Sequence, residues 1–111
     1  MALKELNAIV GEITFLTPET MILRVIPEGW ELPDYSPGQF AVLGLPGASP
    51  RIDISDAEEE PPAPDKYIMR SYSIASSSKD KEYLEFYISL VRSGTLTPRL
   101  FCLKRGDRVF L

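Results

Sequence analysis

Short β-forming runs separated by proline and glycine limit what this chain can fold into more than any other feature of its sequence. The chain has 111 residues, of which 10 are proline and 7 are glycine. The runs NAIVGEITFL and MILRVI are rich in β-branched residues, and the turn-like segment TPET separates them, which predicts an opening hairpin. In the loop PEGWELPDYSPGQ that follows, Pro37 and Gly38 suit the central positions of a type II turn.

Three further runs predict strands after that loop. FAVLGLP follows it directly, and a fourth strand is predicted from Tyr67 to Ala75. In the fifth run apolar residues alternate with more polar ones, which is the period of two expected when one face of a strand packs on a core. Its apolar set is Leu84, Phe86, Ile88 and Leu90.

One short helix is predicted near the end of the chain. Thr97 can cap a free N–H group, and Pro98 is tolerated at the first helical position. Gly106 can end this helix, and RVFL predicts a final strand. About six short strands and one short helix favour an all-β fold, a small antiparallel Greek-key β-barrel, because the strands are too few for a sandwich of two full sheets.

The absence of histidine and the presence of a single cysteine, Cys102, exclude several classes of site. A Ser-His or Cys-His nucleophilic site needs histidine, and a disulfide framework, an iron–sulfur cluster or a four-cysteine zinc site needs more cysteines. No metal site is predicted. The first apolar run is interrupted by Glu5 and Asn7, too early for a signal peptide, and no stretch approaches the length of a membrane span. We therefore predict a cytoplasmic protein with neither a membrane nor a nucleic acid as partner.

The net charge of −4 is distributed unevenly along the sequence. Residues 1–65 carry 12 acidic and 3 basic side chains, a balance of −9, whereas residues 66–111 carry 4 acidic and 9 basic side chains, a balance of +5. Such an asymmetry often indicates an anionic partner for the basic half. The segment SDAEEEPPAPD, from Ser55 to Asp65, predicts a solvated loop for which nothing requires a function.

The stretch RSYS, from Arg70 to Ser73, carries the residues best suited to bind a ligand. In an extended strand Arg70 and Tyr72 project to one face, so a guanidinium that suits phosphate lies near a ring that suits stacking. The helix start near Thr97 has free N–H groups that favour an anion, and Gly94 allows close backbone approach. Together they predict a pocket for the diphosphate of a dinucleotide. Taken singly, Arg70 could instead pair with a glutamate, Tyr72 could be a half-buried strand residue, and Thr97 could merely cap the helix.

The motifs PGQF, RSYSI and LEFYISLVRSGTLTPRLF, in this order and spacing, resemble the flavin-binding domain of ferredoxin–NADP reductases, especially the bacterial type. The resemblance extends over nearly the whole chain. RSYS corresponds to the family's R-x-Y-S/T flavin motif, and GTLTPRL corresponds to its glycine-then-Ser/Thr helix start. The resemblance implies an FAD-binding domain of an oxidoreductase that relays electrons between NAD(P)H and a ferredoxin or flavodoxin.

The resemblance also implies roles for the matching residues. Arg70 would contact the FAD diphosphate, and Tyr72 would pack against the flavin and its ribityl chain. Ser73 would hydrogen-bond near the flavin N5, where hydride arrives, and is the implied catalytic residue. The other implied cofactor contacts, many of them through the main chain, are Ser71, Tyr87, Ile88, Ser89, Gly94, Thr95, Leu96 and Thr97.

In this family NADP(H) binds to a second, α/β domain, for which a chain ending at Leu111 leaves no room. We therefore expect residues 1–111 to be a C-terminally truncated FAD-binding domain, either a fragment of a longer reductase or the flavin subunit of a split reductase with another acceptor. A basic surface around Lys79, Lys81, Arg92 or Arg99 could steer an acidic ferredoxin. An alternative of another class is a flavin-free β-barrel that serves as a protein-interaction or regulatory module.

Overall fold

A computed structural model of the chain describes residues 6–36, 38–79 and 81–111. Its elements follow one another in nearly the order that the sequence predicts, and Gly38 has the positive φ of +83° that was expected of it. Pro37, the other residue of that predicted turn, lies outside the described residues, as does Glu5. The elements are β1 (Ala8–Thr17), β2 (Thr20–Pro27), β3 (Phe40–Pro46), β4 (Tyr67–Ser73), β5 (Leu84–Ser89), α1 (Thr97–Leu100) and β6 (Arg108–Val109).

Strands β1 and β2 form the predicted opening hairpin. Their register runs from Ala8 opposite Pro27 to Thr17 opposite Thr20, with two irregularities in β1. At the turn the hydroxyl groups of Thr17 and Thr20 lie 2.7 Å apart, and the backbone N–H of Glu19 donates to the Thr17 hydroxyl at 3.1 Å. These side-chain bonds supply partners for the short connection, as threonine commonly does in turns.

The strands form two antiparallel sheets that close on each other without completing a cylinder. One sheet has the order β5-β2-β1-β6, and the other contains β3 and β4. Gly44 of β3 and Phe110 join the two sheets through a pair of backbone hydrogen bonds of 3.0 Å each. At the opposite end, the Ala75 N–H donates to the Glu85 carbonyl at 2.7 Å. The prediction of an all-β antiparallel barrel with six strands and one short helix is confirmed.

The core lies between the two sheets and is almost entirely aliphatic. In β5 the side chains of Leu84, Phe86 and Ile88 are buried while Tyr87 is 55% exposed, so the predicted alternation is confirmed. Burial of this apolar area is the main favourable term for a domain of this size. The largest fully buried side chains are Phe86, Met21, Leu23, Leu43, Leu45, Ile88, Leu96 and Leu100.

Helix α1 begins where the sequence predicts but is capped differently. Leu96 is the N-cap residue and makes no side-chain cap, whereas Thr97 is already helical. The Thr97 hydroxyl instead accepts from the Val91 N–H at 3.0 Å and lies 3.2 Å from the Val91 carbonyl, so the expectation of a threonine cap was wrong. The helix ends at Leu100, and Gly106, with a φ of +92°, forms a later turn rather than the helix end. Within the described ranges, no helix is long and apolar enough to cross a membrane.

Replacement of Phe86 by alanine should lower the free energy of unfolding by about 3–5 kcal/mol, because it leaves a cavity in a closely packed core. Phe40→Ala is the matched control, since Phe40 also lies in a strand but is 71% exposed. We expect the control to change stability by less than about 0.5 kcal/mol. Urea denaturation of the two variants measures both values, and equal losses would contradict the described position of the core.

Candidate functional site

A cleft of about 310 Å³ lies between strand β4 and the segment that leads into α1. The strand side and the helix side of the predicted ligand pocket therefore lie next to each other, although more than twenty residues separate them in the sequence. The cleft is lined by Arg70, Ser71, Tyr72, Val91, Gly94, Thr95, Leu96 and Thr97.

Arg70 and Tyr72 share the side of β4 that faces the core. The pairing of β3 with β4 places Arg70 opposite the fully buried Leu43 and Tyr72 opposite Ala41. Ile68, two residues before Arg70, is buried on the same side. Arg70 is nevertheless exposed, because the core gives way to the cleft at this position. A cation on an inward-facing strand position is thus open to a ligand from the cleft.

The Arg70 guanidinium has no carboxylate partner among the described residues. Its only hydrogen bond there is a contact of 2.8 Å from Nη1 to the carbonyl oxygen of Met69. Seven salt bridges occur in the described ranges, and none of them involves Arg70. The interpretation of Arg70 as a surface arginine paired with a glutamate does not agree with this arrangement. Most of its N–H donors remain available.

Tyr72 offers a half-buried ring beside this cation. The ring packs against the hydrophobic core, and burial raises the pKa of the phenol while the nearby Arg70 charge lowers it. Because burial is the larger cause, Tyr72 stays a neutral phenol at physiological pH. A neutral aromatic surface with a polar tip suits stacking against a flat, partly polar ring.

Three backbone N–H groups at the start of α1 lack acceptors. The N–H groups of Thr95, Leu96 and Thr97 have no hydrogen-bond acceptor in the part of the chain that the structure describes. The preceding turn is fixed by a 2.8 Å hydrogen bond from the Gly94 N–H to the Val91 carbonyl. Free amides in a turn attract anions, and here they share a cleft with an unpaired guanidinium.

Behind this segment lies a buried ionic cluster that the sequence did not predict. Arg99 is only 3% exposed, and its two terminal nitrogens donate to the Glu58 carboxylate at 2.7 and 3.0 Å. They also donate to the carbonyl oxygens of Thr95 at 2.8 Å and Gly47 at 3.0 Å. Arg51 lies 3.4 Å from the same carboxylate.

Two expectations about charged residues were wrong for this reason. Arg99 was expected among the surface cations of a docking patch, but it is buried, because its guanidinium is needed by Glu58 and two carbonyls. The segment from Ser55 to Asp65 was expected to be a solvated loop, but Glu58 within it is largely buried and anchors it to α1. Arg99 and Glu58 are 41 positions apart, so no local pattern connected them.

The other cations of the expected docking patch differ in their surroundings. Lys81 pairs with Asp34, and Arg92 pairs with Glu19 at 2.8 Å. Lys79 is exposed. Local carboxylates therefore offset part of the positive charge that the sequence concentrates in residues 66–111.

The remaining predicted site residues do not line the cleft. Ser73 is exposed at the end of β4, and Tyr87 and Ser89 are exposed on β5. Ile88 is 1% exposed and packs in the core, so its side chain cannot reach a ligand on the surface. Of the residues predicted from the sequence, the cleft brings together Arg70, Ser71, Tyr72, Gly94, Thr95, Leu96 and Thr97.

Removal of the Glu58 carboxylate should destabilise the fold strongly. Glu58→Ala leaves the buried Arg99 charge without its partner, a loss that typically costs about 3–5 kcal/mol. Glu59→Ala is the control, because it removes a neighbouring charge from an exposed position in the same loop. Urea denaturation should show a change below about 0.5 kcal/mol for the control. Similar stability of the two variants would contradict the burial of the ion pair.

The same carboxylate should make stability depend on pH. Hydrogen bonding from Arg99 holds the pKa of Glu58 below its ordinary value of 4.5, against the opposing effect of burial. A lowered pKa in the folded state stabilises the protein fully above 4.5, and this contribution is lost as the pH falls through the folded-state pKa. Unfolding measured from about pH 6 to about pH 3 should therefore show a weaker acid dependence for Glu58→Gln than for the wild type. Parallel curves would contradict the assignment.

Comparison with known proteins shows which proteins this chain resembles. Residues 9–111 match the family model of the oxidoreductase FAD-binding domain. The chain is 36% identical over 74 residues to a ferredoxin–NADP reductase of Azotobacter vinelandii, covering 67% of this chain and 22% of that protein. It is 52% identical over 46 residues to a flavodoxin/ferredoxin–NADP reductase of Rhodobacter capsulatus, covering 41% of this chain and 17% of that protein. The matches thus span about a fifth of either reductase.

Solved structures show the same fold at lower sequence identity. The Amycolatopsis cytochrome P450 reductase GcoB is similar with a TM-score of 0.62 and 24% identity, over 96% of this chain and 27% of that chain. The cytochrome b5 reductase domain of Ulva prolifera nitrate reductase is similar with a TM-score of 0.62 and 16% identity, over 96% of this chain and 38% of that chain. The family match over nearly the whole chain confirms the predicted resemblance and FAD as the cofactor type, and this chain belongs to the oxidoreductase FAD-binding domain family.

Proposed function

We propose that the cleft between β4 and the start of α1 binds the diphosphate of FAD, and that the chain is the flavin-binding part of a ferredoxin–NADP reductase-like oxidoreductase. The observation that carries this proposal is the convergence of an unpaired guanidinium and two free backbone amides on one cleft. The family match supplies the identity of the cofactor.

The donor set fits a diphosphate in chemistry and in charge. The Arg70 guanidinium presents several N–H groups in a planar fork that suits phosphate oxygens. The Thr95 and Leu96 amides add neutral donors from the opposite wall of the cleft. A diphosphate bound between them would receive hydrogen bonds from both walls, and among the described residues no carboxylate lines the cleft to oppose its charge.

Tyr72 and the predicted residues outside the diphosphate cleft take roles along the rest of the cofactor in this proposal. Tyr72 stacks against the flavin or its ribityl chain with its half-buried ring. The exposed side chains of Ser73, Tyr87 and Ser89 are available to contact the ring system. Ile88 contributes through its main chain only, because its side chain is buried in the core.

When bound, FAD supplies the transfer of hydride and of single electrons, and the protein supplies binding and orientation. Arg70 and the two amides fix one end of the cofactor, while Tyr72 orients the other end. Ser73 is the proposed hydrogen-bonding residue at the reacting edge of the ring, since this residue is exposed at the end of β4. Its bond would be made to the ring rather than to the diphosphate.

The proposed redox partners follow from the names of the relatives. Both curated relatives are reductases that connect NADP with ferredoxin or flavodoxin. We infer that this chain works with an NAD(P)H-binding domain or subunit and with one of these small electron carriers. A cytoplasmic location is part of the proposal, and it suits Cys102, a free thiol that a reducing compartment preserves.

Arg70→Ala should weaken FAD binding by about one to two orders of magnitude. This corresponds to the loss of a charge-assisted hydrogen bond, which contributes about 1.5–3 kcal/mol. Arg105→Ala is the matched control, because Arg105 is exposed and does not line the cleft. Titration with FAD, followed by quenching of flavin fluorescence, measures both affinities. Unchanged affinity in Arg70→Ala would remove Arg70 from the site.

Reconstitution of the wild-type protein with excess FAD tests the proposal as a whole. A flavoprotein domain should retain a visible flavin absorption band after the free cofactor has been removed. Absence of any bound flavin would overturn the proposal and would favour a flavin-free interaction or regulatory module.

A further inference from the structure

Two arginines outside the cleft bind the carbonyl groups that precede the Thr95 and Leu96 amides. Arg51 Nη1 donates to the Gly94 carbonyl at 2.8 Å, and Arg99 Nη1 donates to the Thr95 carbonyl at 2.8 Å. Neither arginine lines the cleft. Both lie on the other side of the backbone segment that forms its wall.

The planarity of the peptide bond connects these carbonyls to the cleft. In a trans peptide, the C=O of one residue and the N–H of the next point in opposite directions. A Gly94 carbonyl directed at Arg51 therefore turns the Thr95 N–H away from Arg51, and a Thr95 carbonyl directed at Arg99 turns the Leu96 N–H away from Arg99. Both amides lack acceptors among the described residues, and both residues line the cleft.

Arg51 also fixes the rest of this segment. Its Nη2 donates to the carbonyl oxygens of Asp56 at 2.7 Å and Arg92 at 3.1 Å. The Asp56 N–H donates in turn to the Arg92 carbonyl at 3.0 Å. One guanidinium thus joins the acidic loop to Arg92 and Gly94 of the turn that precedes Thr95.

Glu58 makes it possible for the two guanidinium groups to lie so close together. Its carboxylate contacts Arg99 at 2.7 Å and Arg51 at 3.4 Å. The side chains of Arg51, Glu58 and Arg99 are only 14%, 15% and 3% exposed, so solvent screens their charges weakly. Without the carboxylate, two like charges would face each other in a poorly hydrated place.

We propose that Arg51, Glu58 and Arg99 are positioning residues for the diphosphate site, and that they preset the Thr95 and Leu96 amides for an anionic ligand. This inference rests on the proposed FAD function. It assigns a purpose to one glutamate of the acidic segment, whereas its neighbours Glu59 and Glu60 are exposed. An amide that already points at the ligand loses little conformational freedom on binding, which favours affinity.

The test compares FAD binding in Arg51→Met with binding in the wild type and in the control Glu59→Gln. We expect FAD affinity to fall about tenfold in Arg51→Met, comparable to the loss of one well-oriented hydrogen bond, and to stay within about twofold in the control. Arg51→Lys keeps the charge but cannot reach three carbonyls at once, so its affinity should lie between those of the wild type and Arg51→Met.

Amide NMR spectra of the full chain separate positioning from general loss of stability. In the wild type, FAD should shift the Thr95 and Leu96 amide protons downfield, since they become hydrogen-bonded to phosphate. In Arg51→Met these two shifts should shrink, while the FAD-induced shifts at Tyr72 and Ser89 persist. If Arg51→Met does not fold, Arg51→Lys, which keeps the positive charge beside Glu58, takes its place with the same expectation in direction.

Two failures can be told apart in this design. A wild-type protein that binds no FAD overturns the proposed function. A wild-type protein that binds FAD, together with variants that bind it equally well and show the same Thr95 and Leu96 shifts, leaves the proposed function intact and overturns the positioning role.

Discussion

The buried contact between Arg99 and Glu58 connects the parts of this domain that would otherwise be independent. Arg99 lies on the short helix, Glu58 lies in the acidic loop, and the Arg99 guanidinium also binds the Gly47 carbonyl just after β3. Three segments that are distant in sequence therefore share one planar cation. A four-residue helix has little intrinsic stability, so its position depends on such contacts and on the burial of Leu100.

Buried charges are an expensive way to gain stability, and apolar residues of similar size often serve as well. The buried charges in this domain also orient the backbone, which apolar side chains could not do, because each guanidinium binds a carbonyl group at 2.8 Å. Each oriented carbonyl fixes the direction of the next N–H. The buried ion pair therefore determines the direction of the backbone N–H groups at the cleft, where hydrogen-bond donors are needed.

Local features of the sequence were sufficient to predict most of the fold and both sides of the cleft. The alternation around Phe86 identifies β5, and the two-residue spacing of Arg70 and Tyr72 places them on one face of β4 because side chains in a strand alternate. The cap of α1 was not predictable in the same way. Thr97 has a hydroxyl that can serve either the helix or the preceding turn, and the contact with Val91 decides the outcome. Glu58 was missed because a run of three glutamates is typical of a solvated loop, and its partner lies far away in the sequence.

The position of the cleft follows from incomplete closure of the barrel. Strand β4 pairs along its length with β3, whereas the described backbone link from its other side to β5 is the single bond at Ala75, beyond the end of the strand. Exposed strand edges are normally a hazard, since they invite pairing with other chains. Here residues of the segment from Val91 to Thr97 face β4 across the cleft. Arg70 lies on the core-facing side of β4 and is exposed at this cleft. The site is therefore found where β4, in its described pairing, has β3 as a neighbour on one side and the cleft on the other.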